Sequence, residues 1–428
     1  MKKLILLEVL LLFLATTFMT DSPPPGWYQQ ILPVNKQIND ICFIDSSNGW
    51  IVASGTTYPV VDTGYILRTT NGGNNWTIQF DSLCNYYSVQ FVNFNTGYAA
   101  GGTGYGKFLK TTNGGSNWVI TTPFGSGVYA ILDISFINTD TGWICSDDPF
   151  AGGIYKTING GTNWVLQPSP NYRIIKLFFL NKDTGWAGSN DWKLYRTTNG
   201  GMNWGLQYTF SGSSILSIHF INRFNGFVGG AGSANIKFTT DGGFTWNTSQ
   251  GEVGGYSINF VNDSIGYAGG GSQPLRILKS TDGGKIWGYQ NAPATPDISV
   301  AVLKNDTLLA WAGRQILIHT TDGGGPIIYS GIKQISKEIP DSFRLFQNYP
   351  NPFNPSTNIK YQILKGRRVI LKVYNISGQQ IVTLVNQKQN AGTYEVGFDG
   401  SKLPSGVYFY SLVADGNLIE TKKMILIK

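Results

Sequence analysis

The chain has 428 residues, of which 13% are charged and 14% aromatic, with 54 glycines. Aromatic and β-branched residues are plentiful enough to build cores, which excludes a disordered chain, and the glycine content points to many tight turns and little helix. The net charge of +7 is uneven: residues 21–328 carry 17 Lys+Arg against 18 Asp+Glu, whereas residues 343–428 carry 11 against 4. A neutral body with a basic tail, lacking interleaved aromatic and basic motifs, excludes nucleic acid as the expected partner.

In chain order, the first element is MKKLILLEVLLLFLATTF. Lys2 and Lys3 precede a short apolar stretch, Leu4–Leu14, as in a secretory signal peptide over residues 1–20, too short for a transmembrane span. No later segment is long and apolar enough to span a bilayer. The three cysteines, Cys42, Cys84 and Cys145, fit either one disulfide or three buried thiols. His219 and His319 are the only histidines, and no Cys/His spacing or cofactor motif occurs, so neither a metal site nor a cofactor is expected.

From residue 69 an eight-residue unit recurs: TTNGGNNW, TTNGGSNW, TINGGTNW, TTNGGMNW, TTDGGFTW, STDGGKIW and TTDGGGPI, starting at residues 69, 111, 157, 197, 239, 280 and 320. Upstream of each box lie an apolar stretch such as ICFID or VQFVN and a second such as NGWIVA or TGYAAGG. A period of about 40–45 residues with four short strands is that of a propeller blade. The box is then the turn between the third and fourth strands. Asn71, Asn113, Asn159, Asn199, Asp241, Asp282 and Asp322 accept backbone N–H bonds within that turn. Gly72 and Gly73, and the pairs ending at Gly115, Gly161, Gly201, Gly243 and Gly284, supply positive φ. Trp76, Trp118, Trp164, Trp204, Trp246 and Trp287 pack between blades.

These boxes resemble the Asp-box, sialidase-type repeat, in the form found in propellers of the photosystem II assembly-factor family. The resemblance spans roughly residues 27–328 and implies an all-β, seven-bladed propeller over residues 21–328. The seventh box has no Trp, yet the sequence after the leader reads GWYQQILP, like NWTIQF and NWVLQP. Trp27 is therefore expected to begin the outer strand of the seventh blade and to close the ring, with residues 27–32 as that strand.

After a linker over residues 329–342, residues 343–428 alternate short apolar strands with Gly, Asn and Pro turns, about seven strands of a small Ig-like β-sandwich. Four segments carry a second resemblance: QNYPNPFNPST with Asn348, Pro350, Asn351 and Pro352; VYNISGQ with Gly378; LPSGVYFY with Gly406; and KKMILIK with Lys422 and Lys423. They resemble the type A C-terminal sorting domain of the type IX (Por) secretion system. The resemblance implies a Bacteroidetes-like bacterium, export across the outer membrane by the type IX machinery as partner of residues 343–428, and cleavage or surface attachment near this domain.

Catalysis finds little support in the residues. A sialidase-like site needs converging arginines and a Tyr/Glu pair, but Glu252 is the only glutamate of the propeller. A glycosidase needs two flanking carboxylates; the non-repeat candidates are Asp62, Asp81, Asp133, Asp147, Asp148, Asp191 and Asp297. No catalytic residue is assigned. A ligand face is expected where the loops between blades meet the innermost strands, at Tyr86, Tyr87, Tyr129, Tyr172, Trp192 and Tyr256, with a variable ring at Cys42, Gln90, Ser135, Phe178, His219, Asn259 and Val302. The expected function is a secreted or cell-surface, non-catalytic binding or scaffold module for an unknown protein or polysaccharide. The alternatives are a secreted glycoside hydrolase and an assembly factor for a membrane protein complex.

Overall fold

The structure is a computed structural model that describes residues 26–55, 63–122, 124, 130–147, 153–170, 173–211, 214–230, 236–251, 254–270, 276–293, 299–303, 306–325, 327, 333–401 and 403–428. Every described element is a β-strand. Seven sheets follow one another along the first three quarters of the chain, antiparallel except where Gln250–Gly251 adds in parallel to Ile286–Gln290 of the sixth. Their innermost strands are Gln37–Phe43, Tyr86–Phe91, Ala130–Phe136, Ile174–Phe179, Ile215–Phe220, Ser257–Phe260 and Ser299–Val302. Each packs against the innermost strand of the next sheet, and that of the seventh packs against that of the first.

The repeat motifs explain how the blades adhere. The second strand of each blade is buried on both faces, as in Gly49–Ser54 and Gly97–Gly102, which is why it is made of small and apolar residues. In six of the blades its aromatic residue stacks on the phenylalanine that ends the innermost strand of the next blade. Trp50 lies 3.5 Å from Phe91, Tyr98 3.7 Å from Phe136, Trp143 3.6 Å from Phe179, Trp186 3.5 Å from Phe220, Phe227 4.0 Å from Phe260 and Trp311 3.6 Å from Phe43, centroid to centroid. The box tryptophan of that next blade then meets the same phenylalanine edge-on, as Trp76 does Phe43 at 5.9 Å. In blades one to six the glycine before the second-strand aromatic is a close-approach site: a Cβ at Gly49 would stand 2.4 Å from the Phe43 ring. Aromatic pairs of this geometry contribute roughly 0.5–1.5 kcal/mol each beyond their burial.

The boxes form turns closed by their own side chains. Asn71 Oδ1 accepts from the Asn75 N–H at 2.9 Å, Thr69 Oγ1 accepts from the Gly73 N–H at 2.8 Å, and Gly72 and Gly73 sit at φ 70° and 95°. The same pattern repeats at Asn113, Asn159, Asn199 and Asp241.

At the seventh box the pattern is completed by the other end of the chain. Tyr28–Gln30 runs antiparallel to Leu317–Thr320, with Tyr28 opposite His319 and Gln30 opposite Leu317. Asp322 Oδ2 accepts from the Gly26 N–H at 2.9 Å, as Asn71 accepts from Asn75 within the first box. Trp27 is buried, meets Tyr267 edge-on at 6.1 Å and donates from Nε1 to Gln290 Oε1 at 3.1 Å. It occupies the place of a box tryptophan, and its neighbour Gly26 lies 296 residues away in sequence from the carboxylate that anchors it.

Three expectations are corrected. The seventh innermost strand is shifted by one residue: Ala301, not Val302, lies opposite Trp311 as Cys42 lies opposite Trp50, so Ala301 belongs to the variable ring. No phenylalanine marks that strand, so the motif alone did not fix its register. The sandwich has two four-stranded sheets, eight strands rather than seven. The additional strand, Lys333–Ser336, lies within residues 329–342, where it pairs with Gly392–Asp399 as an edge strand and is not a free linker. Of the two states open to the cysteines, the structure has three free thiols, Cys84 and Cys145 buried and Cys42 half-buried.

In the sandwich, Tyr361, Tyr410, Leu412 and Met424 form a buried core. The domain rests against the sixth blade, with Thr281 Oγ1 donating to Asp399 Oδ2 at 3.2 Å and Tyr289 packed on the sandwich core.

Candidate functional site: the charged mouth of the channel

Five of the innermost strands break register near their start, between Ile38 and Asp40, Tyr86 and Ser88, Ile131 and Asp133, Ile174 and Lys176, and Ile215 and Ser217. A bulge re-aims the side chain that follows it. The result is a ring with one residue per blade: Asp40, Ser88, Asp133, Lys176, Ser217, Ser257 and Ser299. All seven line a central cavity of about 420 Å³, together with Gln90, Ser135, Phe178, His219 and Asn259 one layer deeper and Tyr256 and Arg314.

The ring has a structural task. Ser217 Oγ accepts from the Ile258 N–H at 2.9 Å and Ser257 Oγ accepts from the Val300 N–H at 3.2 Å, tying each strand to the next blade. Asp40 Oδ2 does the same for the Val89 N–H and Asp133 Oδ2 for the Leu177 N–H, both at 2.9 Å. Three blades thus place charges where serine suffices elsewhere. Lys176 Nζ is 3.2 Å from Asp133 Oδ1. Ser88 Oγ stands 3.2 Å from both Asp40 Oδ2 and Asp133 Oδ1, so the two carboxylates are separated by no more than twice that distance.

A hydroxyl carries one proton and donates it to one acceptor. Ser88 satisfies both carboxyl groups at once only when one of them is protonated. Asp40 suits that role: burial, reinforced by Asp133 and opposed by Lys176 and by the Val89 and Ile41 N–H groups, pushes its pKa up to about 6. Burial opposes the charge of Lys176, but Asp133 and Asp40 outweigh it and its pKa is raised. His219, packed against Phe178 and Phe260, is pushed down to about 4 by burial and stays neutral.

Of the expected ligand-face residues, the structure brings Gln90, His219 and Tyr256 together in this cavity. Gln90 is already committed, donating to the Phe136 carbonyl at 2.8 Å and accepting from its N–H at 2.7 Å. Tyr86 is not on a rim: it is fully buried, and its hydroxyl bonds to Ser82 at 2.6 Å. Tyr87 is half-buried. Trp192 is exposed, on a left-handed backbone with φ 71°, and lies outside the cavity lining. Tyr129 and Tyr172 lie outside the described residues, as do Asp62, Asp148, Glu252 and Asp297. Asp147 is held by Arg173 through two bonds of 2.7 Å. Among the described candidate carboxylates only Asp133 reaches the channel, and its partners Asp40, Ser88 and Lys176 went unrecognised. The available signal was position: each stands immediately before the apolar pattern of its innermost strand, in register across the repeats. Among the described residues, no group of three His, Cys, Asp or Glu side chains is arranged to hold a metal ion, and no helix is long and apolar enough to cross a membrane.

In the C-terminal domain the motif residues secure the lead-in strand. Asn348 Nδ2 donates to the Pro350 carbonyl and to Thr357 Oγ1, both at 3.0 Å, and its N–H donates to the Tyr410 hydroxyl at 2.8 Å. Asn351 Oδ1 accepts from the Ile425 N–H at 2.9 Å. Lys422 pairs with Glu420 at 2.6 Å, Lys423 gives its carbonyl to Gln347 at 2.7 Å, Gly378 turns at φ 78° and Gly406 opens a strand.

Residues 347–428 match the secretion system C-terminal sorting domain family. This is a type IX export signal, and it marks the chain for secretion or the cell surface in a Bacteroidetes-type bacterium. Among solved structures, YCF48 bound to a D1 peptide is 20% identical, with TM-score 0.53, covering 70% of this chain and 98% of that one. YCF48 from Cyanidioschyzon merolae is 16% identical, with TM-score 0.55, covering 69% of this chain and 98% of that one. PorZ, a surface component of the type IX secretion system of Porphyromonas gingivalis, is 14% identical, with TM-score 0.51, covering 93% of this chain and 60% of that one. At such identities the likeness establishes the propeller fold and not the ligand. No curated protein matches the chain.

Proposed function

We propose that the propeller is a non-catalytic binding module that holds a charged segment of a partner protein over the channel mouth, outside the cell or on its surface, after export directed by the sorting domain. The observation that carries this reading is the excess charge of the ring. Serine makes the inter-blade bond in blades five and six, so that bond does not require the carboxyl groups of Asp40 and Asp133, and the Lys176 ammonium, which only donates, takes no part in it as an acceptor. Charged groups near one opening, two acidic and one basic, suit a polypeptide better than a neutral sugar. A propeller of the same fold holds a peptide in one of its structures, which supports the ligand class. A peptide array probed with the purified protein and with a D40S/D133S/K176S variant tests the proposal. Binding of charged peptides that the variant loses while keeping its melting temperature supports it. Equal binding by both proteins refutes it.

A second reading, a glycoside hydrolase, has one observation in its favour: the Asp40–Asp133 pair, with Asp40 held near the pKa of a general acid. It ranks second because both oxygens of each carboxyl group already accept from this chain's own donors. Hydrolysis of a glycan panel that D40N abolishes would reverse the order.

A further inference from the structure

We propose a second binding site, for a saccharide bearing an N-acetyl group, in the seam between blades two and three. The third residue after each box tryptophan seals the seam to the next blade. Gln30, Gln207 and Gln290 donate from Nε2 to the carbonyls of Gly72, Gly242 and Gly323 at 3.0, 2.8 and 2.8 Å. Gln79 and Gln167 lie over the next box, with their Oε1 atoms 3.7 and 3.4 Å from where a Cβ on Gly115 or Gly201 would stand. Ser249 Oγ reaches the Gly284 carbonyl at 2.6 Å. Gln79 and Gln167 direct their Nε2 atoms back to Thr77 Oγ1 and the Val165 carbonyl, at 3.1 and 3.0 Å, and Thr121, in blade two, has no carboxamide and donates to the Phe108 carbonyl of its own blade at 3.3 Å.

Where the carboxamide is missing, a cavity of about 450 Å³ opens, lined by Phe108, Lys110, Asn117, Thr121, Gly160 and Thr162. That is within the size range of small-molecule sites. Its polar groups are those a carboxamide would meet. No hydrogen bond among the described residues ends on the Gly160 carbonyl. Lys156 and Lys279 donate to the box carbonyls of Gly200 and Gly323 at 3.2 and 2.8 Å. Their counterpart Lys110 makes no hydrogen bond among the described residues, and its ammonium lies 2.3 Å from where a Cβ on Gly160 would stand. The wall is the Phe108 ring, at a position filled by Ile66, Ile154 and Leu194 in blades one, three and four. An acetamido group matches all three: its N–H donates to the Gly160 carbonyl, its oxygen accepts from Lys110, and its methyl packs on Phe108. The neutral Asn and Thr side chains of the rim suit sugar hydroxyls, which favours a glycan over a glutamine side chain from a protein.

The test is calorimetric titration of the purified full chain with tri-N-acetylchitotriose and with its fully de-N-acetylated trimer. The acetylated trimer is expected to bind saturably and the other at least tenfold more weakly. Thr121→Gln restores the missing plug, so it is expected to weaken binding at least tenfold without lowering the melting temperature. Lys110→Met gives an independent reading should the first variant fold poorly, with a similar loss expected. A peptidoglycan disaccharide, run as a separate arm, distinguishes a bacterial wall source from a chitin-like one. No binding of any N-acetylated probe, undiminished binding by both variants, or binding only of glutamine-bearing peptides overturns the proposal. The D40S/D133S/K176S variant is expected to bind these sugars unchanged, so failure at the channel and failure at the seam are separable.

Discussion

Replacing Asp40 by Asn tests the protonation argument at the channel mouth directly. Asp40 accepts from the Val89 and Ile41 N–H groups at 2.9 and 3.0 Å and faces Ser88, beyond which lies Asp133. Its pKa in the fold is about 6, against about 3.9 for an unfolded aspartate. The native state therefore keeps a proton that the unfolded chain has already released between about pH 4 and 6. The sign follows: the stability linked to this group is fully present below about pH 4 and is lost as pH rises through about 6. Two pKa units correspond to about 3 kcal/mol at most. The whole-protein profile will not show this alone, because His219 and His319, both pushed down to about 4 by burial, act in the opposite sense and stabilise the fold as pH rises from 4 towards 6.5. The informative quantity is the difference between D40N and the native protein, measured by urea denaturation at several pH values. Asparagine imitates the protonated acid, so the two proteins should differ little in pH-linked terms at pH 4, and D40N should gain up to about 3 kcal/mol by pH 7.5 with an unchanged denaturant slope. A difference that is constant with pH, or that turns against D40N as pH rises, would falsify the argument and show that Lys176 stabilises the charge more than burial penalises it.

Three further outcomes are expected. Trp27→Ala removes the edge-on contact with Tyr267 and the bond to Gln290; it should cost roughly 3–5 kcal/mol and raise amide exchange along Leu317–Thr320, and native-like exchange there would contradict a closure that depends on this ring. Tyr86→Ala should destabilise by a similar roughly 3–5 kcal/mol because the side chain is fully buried, whereas Trp192→Ala on the exposed loop should stay within about 0.5 kcal/mol; thermal melts of both variants, with the order reversed, would count against this placement. Asn348→Ala strands the hydrogen-bonding partners on Thr357 and Pro350 and should lower sandwich stability by about 1–3 kcal/mol, read from urea denaturation of the full chain.

Much of the fold was legible in the sequence because the repeat encodes its own geometry. The Thr, Asn/Asp and Gly residues of each box specify a turn through local bonds, and local bonds can be read from one segment. The orphan Trp27 could be paired with the seventh box because both are departures from the same pattern. Long-range placement was less readable. Tyr86 and Tyr256 are both tyrosines near the start of an innermost strand, yet one is in the core and the other in the channel. What separates them is how each strand twists at its start, and the bulge after Tyr86 has no residue signature. The channel charges were hidden for the same reason. Asp40 and Lys176 look like ordinary polar residues beside a strand until the bulge places them in one ring with Asp133.

The repeat supplies the control by which its exceptions are judged. A position filled alike in most blades reveals what the fold needs there: an acceptor for the next strand's N–H in the ring, and a polar group over the next box in the seam. Ser217 and Ser257 meet the first need without charge, and Gln30, Gln207 and Gln290 meet the second with a carboxamide. Blades one and three exceed the first requirement with carboxyl groups, blade four replaces the acceptor by the Lys176 ammonium, which can only donate, and blade two falls short of the second. Burying a carboxyl group and leaving a seam unfilled both act against stability. Blade-to-blade adhesion does not account for either departure, because the other blades achieve it without them. The two proposed sites would account for both: charge at the channel for a partner to meet, and in the seam a Gly160 carbonyl left beside Lys110 and Phe108.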